Sequence, residues 1–231
     1  MHEVCIYDIK GHSLTAVPVF YLYGKEDFMT KKEAVKIIRK KNMPKSLENR
    51  FIENGLSDLL EEVYIRSAEL FEENSSANRA LQTHLDQILP CIAFYEALLK
   101  KTGSKEAALK LYDEWAFDSL LKLAVAFRKI MKTGLYKKIP AIADKLIDKA
   151  FGSEAGFVSK SVADSKPFAR DMLVCPYYET CKKYGCPEIT LFFCKSDDIT
   201  YGNLHPKLVW KRTQTLGMGG ECCDFRLYLK D

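Results

Sequence analysis

The chain lacks any run of apolar residues long enough to cross a bilayer. Its longest uncharged stretch near the start, residues 11–24, is fourteen residues, against the roughly 18–20 that a membrane-spanning helix needs. No basic segment followed by an apolar one opens the sequence, so the cytoplasm is the expected compartment. Internal repeats and low-complexity segments are absent too. So are G-x-x-x-x-G-K-[ST], G-x-S-x-G and H-E-x-x-H, which removes sequence support for P-loop nucleotide hydrolysis, serine esterase chemistry and zinc proteolysis. Gly217 and Gly219 do not begin a dinucleotide fingerprint, because Cys222 stands where the third glycine belongs and a strand follows where a helix is required.

Charge of one sign is also in short supply. Lys and Arg number 35 against 31 Asp and Glu, a net of +4. Residues 25–50 hold nine cations and four carboxylates, whereas residues 53–73 hold seven carboxylates and one cation. The blocks cancel, and no basic stripe with interleaved aromatics marks a nucleic-acid surface.

What is present is a globular composition. With 231 residues and 47% hydrophobic content, the chain is long enough for a sizeable core in a single α+β domain, its helical part about 25–152 and its strand-rich, cysteine-rich part about 153–231. Thr30 and Glu33 form a capping box, with Pro44 ending that helix. Ser46 is then expected to cap a long helix carrying Ile52, Leu56, Leu59, Leu60, Val63 and Leu70. Further helices are read around Leu81 to Leu98, ending at Gly103; from Ser104 onward, with a break near Asp118; and from Pro140 to about Gly152. Residues 157–162 and Phe168–Val174 read as strands joined by a turn at residues 163–167. A short helix follows Pro176 and stops at Gly185, and a second covers residues 187–194. Residues 208–215 and 222–229 close the chain as a hairpin. Helices first and strands afterwards imply a helical, bundle-like layer packed on a small C-terminal antiparallel sheet.

Eight cysteines stand out, six of them in the last quarter of the chain. A reducing compartment argues against a disulfide framework. Five, four and seven residues separate Cys175, Cys181, Cys186 and Cys194, so the C-x-x-C pair of a zinc knuckle never occurs, and neither metal nor cofactor is expected. In the last strand a period of two sends Cys223, Phe225, Leu227 and Leu229 to one face and Cys222, Asp224, Arg226 and Tyr228 to the other. The neighbouring strand adds Lys211 and Thr213 to that second face, or in the other register Trp210, Arg212 and Gln214. A slip of one residue would exchange the faces, so Cys222 and Cys223 both remain candidates.

Cys175-Pro176-Tyr177, Gly185-Cys186-Pro187-Glu188, Phe193-Cys194 with Asp197 and Asp198, Arg212-Thr213-x-Thr215-Leu216 and Gly219-Gly220-x-Cys222-Cys223-Asp224-Phe225-Arg226 stand in this order. The series resembles the C-terminal half of the L-2-amino-thiazoline-4-carboxylic acid hydrolase family, over roughly residues 85–229. The resemblance implies hydrolysis of a carbon–nitrogen bond in a cyclic amidine, opening 2-amino-thiazoline-4-carboxylate or a related small heterocyclic acid to a carbamoyl-cysteine. That chemistry needs a nucleophile or activated water, an acid for the departing atom and a cation for the carboxylate. Cys175, Cys222 and Cys223 are the candidate thiols, Asp224 the candidate base, and Arg212 and Arg226 the candidate carboxylate clamps. His84 reads as a hydrogen-bonded, semi-buried histidine, His205 as a loop residue, and Glu188, Asp197 and Asp198 as helix-cap or surface carboxylates. The expected partner is a small-molecule substrate, without nucleic acid or membrane, and homo-oligomerisation is left open. Two other classes compete: a small-ligand-binding or sensory domain without turnover, and a cysteine-ligated metal protein.

Overall fold

A computed structural model describes residues 29–163 and 168–230. Helix α1 (Lys31–Lys40) begins as expected: Thr30 Oγ1 accepts from Glu33 N, and Glu33 Oε2 accepts from Thr30 N at 2.9 Å. The two following expectations are corrected. The chain breaks at Lys41, which is extended, and Pro44 lies in the first turn of α2 (Asn42–Glu53), where its missing N–H removes no helical bond. The long helix is divided by Gly55, at φ 66°, into α2 and α3 (Ser57–Glu73). Ser46 is buried inside α2, and its hydroxyl accepts from Ser119 N at 2.9 Å. It therefore caps a helix other than its own, satisfying an orphan first-turn donor of α6 (Asp118–Met131), whose own N-cap residue Phe117 makes no side-chain cap.

Helix α4 (Arg79–Thr102) runs unbroken through Pro90 and ends at Gly103 in the left-handed conformation. Leu85, Ile88, Leu89, Ile92, Phe94, Tyr95 and Leu98 are all buried, and α4 packs against α1, α2, α3 and α5 (Lys105–Trp115). Every residue from 88 to 95 is buried, and a stretch apolar on every side belongs at the centre of a layer. Cys91, Cys181 and Cys186 lie in this helical core as small buried hydrophobes. The break expected near Asp118 is the junction of α5 and α6, and Pro140 sits in the first turn of α7 (Ile139–Ala150).

The strands β1 (Val158–Ser161), β2 (Phe168–Val174), β3 (Leu208–Lys211) and β4 (Cys223–Leu229) form an antiparallel sheet of order β1-β2-β4-β3. The turn expected at 163–167 lies outside the described residues beyond Ala163. Between β2 and β3 run α8 (Pro176–Lys183), stopped by Gly185 as expected, and α9 (Thr190–Tyr201). Helix α9 extends seven residues past the boundary read from sequence, and β3 ends four residues earlier than read. Phe168, Met172, Cys223, Leu227 and Leu208 form the buried face of the sheet. Arg170, on the same face, is held by Asp144 and Asp148 and so ties α7 to the sheet. The architecture is α+β, a helical layer packed on a small C-terminal antiparallel sheet. No helix among the described residues is long and apolar enough to cross a membrane.

Candidate active site

The pairing of β4 settles the two faces. Lys211 opposes Arg226, and Asp171 opposes Asp224; directly paired residues share a face, so Lys211 and Thr213 accompany Asp224 and Arg226 on the outer side. Cys223, opposite Met172, faces the core. The sequence-derived candidates therefore fall into two groups on opposite sides of one sheet.

On the outer face the groups are occupied with each other. Arg226 Nη2 donates to Asp171 at 3.0 Å, and Arg226 Nη1 donates to the Phe225 and Arg170 carbonyls. Asp224 accepts from Thr213 N and Gln214 N, both at 2.8 Å, and from the Thr213 hydroxyl. Its partial burial acts to raise the carboxyl pKa, but these donors prevail and hold it below the ordinary value. Cys222 has Asp171, Asp224, Lys160 and Arg226 as its charged neighbours, and burial raises its thiol pKa. Asp224 thus braces the chain between β3 and β4. Asp224→Ala is expected to destabilise the protein by about 1–3 kcal/mol, the cost of unsatisfied donors, with turnover per folded molecule retained; urea unfolding beside a turnover assay checks both.

The inner face is different. The linker from β3 to β4 is shaped by Gly219, at φ 83°, and by Gly220, where a Cβ would stand 2.7 Å from Gln214 Oε1; neither site takes a larger residue without strain. This linker turns Arg212, Thr215 and Cys223 toward α9. Leu216 N donates to Cys223 Sγ at 3.3 Å. Arg212, its side chain only 6% exposed, donates through Nη2 to Asp198 at 2.8 Å and to the Cys194 carbonyl at 3.0 Å. Its Nη1 is buried without a hydrogen bond, and the closest carboxylate, Asp197, is 3.5 Å away.

Asp197 is the residue that sequence reasoning passed over. It is not a cap: it lies within α9, in one row with Cys194 three residues before and Tyr201 four residues after. Its side chain keeps 36% of its surface accessible, and the surrounding protein crowds the rest. That crowding outweighs the opposing pull of Arg212, and with the Asp198 charge alongside, the pKa of Asp197 rises to about 7.

Two thiols, Cys194 and Cys223, border this pair, and Cys175 lies beside them. Burial pushes Cys175 up to about 12 and Cys194 up to about 11, the latter in spite of Arg212, and raises Cys223 as well. All three are therefore protonated at neutral pH. Cys175 precedes the Pro-initiated α8 as expected. Its neighbour Tyr177 packs on Phe193 at 4.9 Å and meets His84, whose Nδ1 stands 3.1 Å from the phenol oxygen while Nε2 is 2.7 Å from the Ala150 carbonyl. A carbonyl only accepts, so Nε2 carries the proton and Nδ1 accepts from Tyr177. Burial lowers the His84 pKa, which makes it the satisfied neutral histidine read from sequence.

Glu188 accepts from the Tyr95 hydroxyl at 2.6 Å and pairs with Lys105, a structural tie. His205 stacks on Tyr136 at 3.6 Å. It lines an open groove of about 810 Å³ that runs along β3 past Trp210 and Lys211 and reaches Arg212 and Asp198. Among the described residues, no three His, Cys, Asp or Glu side chains stand close enough to hold one metal ion.

Fold and site together define an α+β protein whose thiols, carboxylate and guanidinium converge between a helix and a sheet edge, a donor and acceptor set suited to a small polar molecule. The family model for L-2-amino-thiazoline-4-carboxylic acid hydrolase matches residues 82–227. The chain belongs to that family, as the motif series implied. No curated protein and no solved structure matches it.

Proposed function

We propose that the chain is a hydrolase that opens the ring of a small cyclic amidine acid such as 2-amino-thiazoline-4-carboxylate, with Asp197 as the proton-transfer group and Arg212 as the cation for the substrate carboxylate. The observation that carries this reading is the pairing of a carboxylate titrating near neutrality with a buried guanidinium that keeps one nitrogen without a hydrogen bond. A catalytic base works best with a pKa near the working pH, and the protonated thiols are poor nucleophiles. Water is therefore the attacking group, and Cys175, Cys194 and Cys223 line the site. Water bonds through oxygen to C2 of the protonated amidine as one of its protons passes to Asp197. Asp197 returns that proton to the ring nitrogen as the C2–N bond breaks. The remaining hydroxyl proton leaves with the amine as ammonium, giving the carbamoyl product and the original carboxylate. The groove along β3 offers an anionic substrate an approach to Arg212.

The direct test is incubation of the purified chain with 2-amino-thiazoline-4-carboxylate, following by mass the gain of one water. Turnover that persists in Cys223→Ala and Cys175→Ala, reduced by less than about tenfold, fits water attack; abolition by either would make that thiol the nucleophile. Saturable binding of the acid with no product would make the chain a sensory domain.

A further inference from the structure

The stretch from α6 to α7 exposes more apolar surface than its packing explains. Leu121, Val125, Ile130, Leu135, Ile142 and Leu146 are each between 38% and 54% exposed. Leu121 and Val125 are four residues apart on α6, and Ile142 and Leu146 four apart on α7, so each pair forms a row on one helix face. The 3-10 turn Leu135–Lys138 packs against both helices and joins their surfaces. Helix α7 buries Pro140 and Ala143 and packs Ile139 and Ile147 on the core, while Ile142 and Leu146 have no cover among the described residues.

The charge of the protein is gathered on the same strip. Residues 121–149 carry eight cations and two carboxylates, a net of +6 in a chain whose total is +4; the remainder is net negative. The two carboxylates, Asp144 and Asp148, are both held by Arg170. The seven lysines between Lys122 and Lys149 are all exposed and have no ion-pair partner among the described residues.

We propose that this strip is a docking surface for an anionic lipid bilayer, a partner that the sequence analysis did not expect. Contact of this kind is peripheral: apolar rows enter the headgroup boundary while lysine stems reach back to the phosphates. A second copy of the chain is a poor occupant, because self-pairing brings two +6 faces together. A folded acidic protein suits it less, since protein interfaces gather apolar groups in a centre depleted of charge, whereas here lysines alternate with the apolar side chains.

The test is co-sedimentation of the full chain with vesicles of phosphatidylcholine alone, or with about one third phosphatidylserine. Binding to the anionic vesicles is expected to be at least about tenfold tighter, and to weaken as salt rises to about 0.5 M. Lys122→Glu with Lys129→Glu, Lys145→Glu and Lys149→Glu is expected to abolish it. Leu121→Ser with Leu146→Ser is expected to weaken it at low and high salt alike, with thermal unfolding unchanged. Equal binding to both vesicles, or none, would overturn the proposal. So would capture by polyglutamate without lipid binding, or a dimer lost in the serine variant.

Discussion

Asp197→Asn is expected to lower kcat/KM by about 10²–10⁴-fold, the range removed with a general base. The isosteric amide keeps the packing around α9 but can neither take nor return a proton. Because the loss lies in the proton-transfer step, kcat falls while KM stays near its original value. Stability is expected to move the other way. A carboxyl whose pKa is raised by folding binds its proton more tightly in the native state than in the unfolded one. Its contribution is present at low pH and lost as pH rises from about 4 to about 7. Above that window wild type carries the cost of a crowded carboxylate and the amide does not, so the variant is expected to unfold at no lower a urea concentration than wild type at pH 8. A variant that loses activity because it misfolds would show the opposite.

Arg212→Ala is the second large effect. The guanidinium is paired with Asp197 and Asp198 and bound to the Cys194 carbonyl; without it two neighbouring carboxylates face each other. Breaking a buried pair from one side costs about 3–5 kcal/mol, and the partial exposure of both carboxylates puts this case at about 3 kcal/mol. The Asp197 pKa, which Arg212 holds down, is expected to climb above 7, carrying the acid limb of the rate profile with it, and KM is expected to rise as the carboxylate clamp is lost. Urea unfolding and a pH–rate profile read the two effects separately. Unchanged KM with the stability loss alone would reduce Arg212 to a structural ion-pair partner. Arg226, committed to Asp171 and two carbonyls on the outer face, is expected to leave KM unchanged when replaced by lysine.

The order of elements was legible because its signals are local. Thr30 with Glu33, Gly103 with Ser104, and Pro176 with Gly185 each mark a helix end through a neighbouring residue, and the period of two in β4 placed Cys223 inward and Asp224 outward correctly. Pro44 misled, since proline is tolerated in a first turn as readily as it stops a helix. Ser46 misled for a tertiary reason: the helix it caps, α6, begins more than seventy residues later in the chain.

The candidate site is legible in part. The motifs carry Cys223 and Arg212, which stand near each other, and Cys175, which packs beside Cys223. Cys222, Asp224 and Arg226 were chosen because they share a strand face, and a shared face was as compatible with cross-strand ion pairs as with catalysis. With the helix read only to Cys194, Asp197 reads as a helix-cap or surface carboxylate. Extended to Tyr201, the row Cys194, Asp197, Tyr201 falls on one helix face, and that row was the signal. What no spacing could supply is the crowding that lifts Asp197 toward neutrality, because it involves parts of the chain distant in sequence, the end of β3 and the β3–β4 linker among them, folded against α9.

Proton transfer by the single carboxylate of Asp197 is read from kcat/KM for 2-amino-thiazoline-4-carboxylate against pH, in wild type and Asp197→Asn. The wild-type rate is expected to climb tenfold per pH unit on the acid side and level above about 7, and the variant to lose that limb. The same limb at the same pH in both proteins would contradict it.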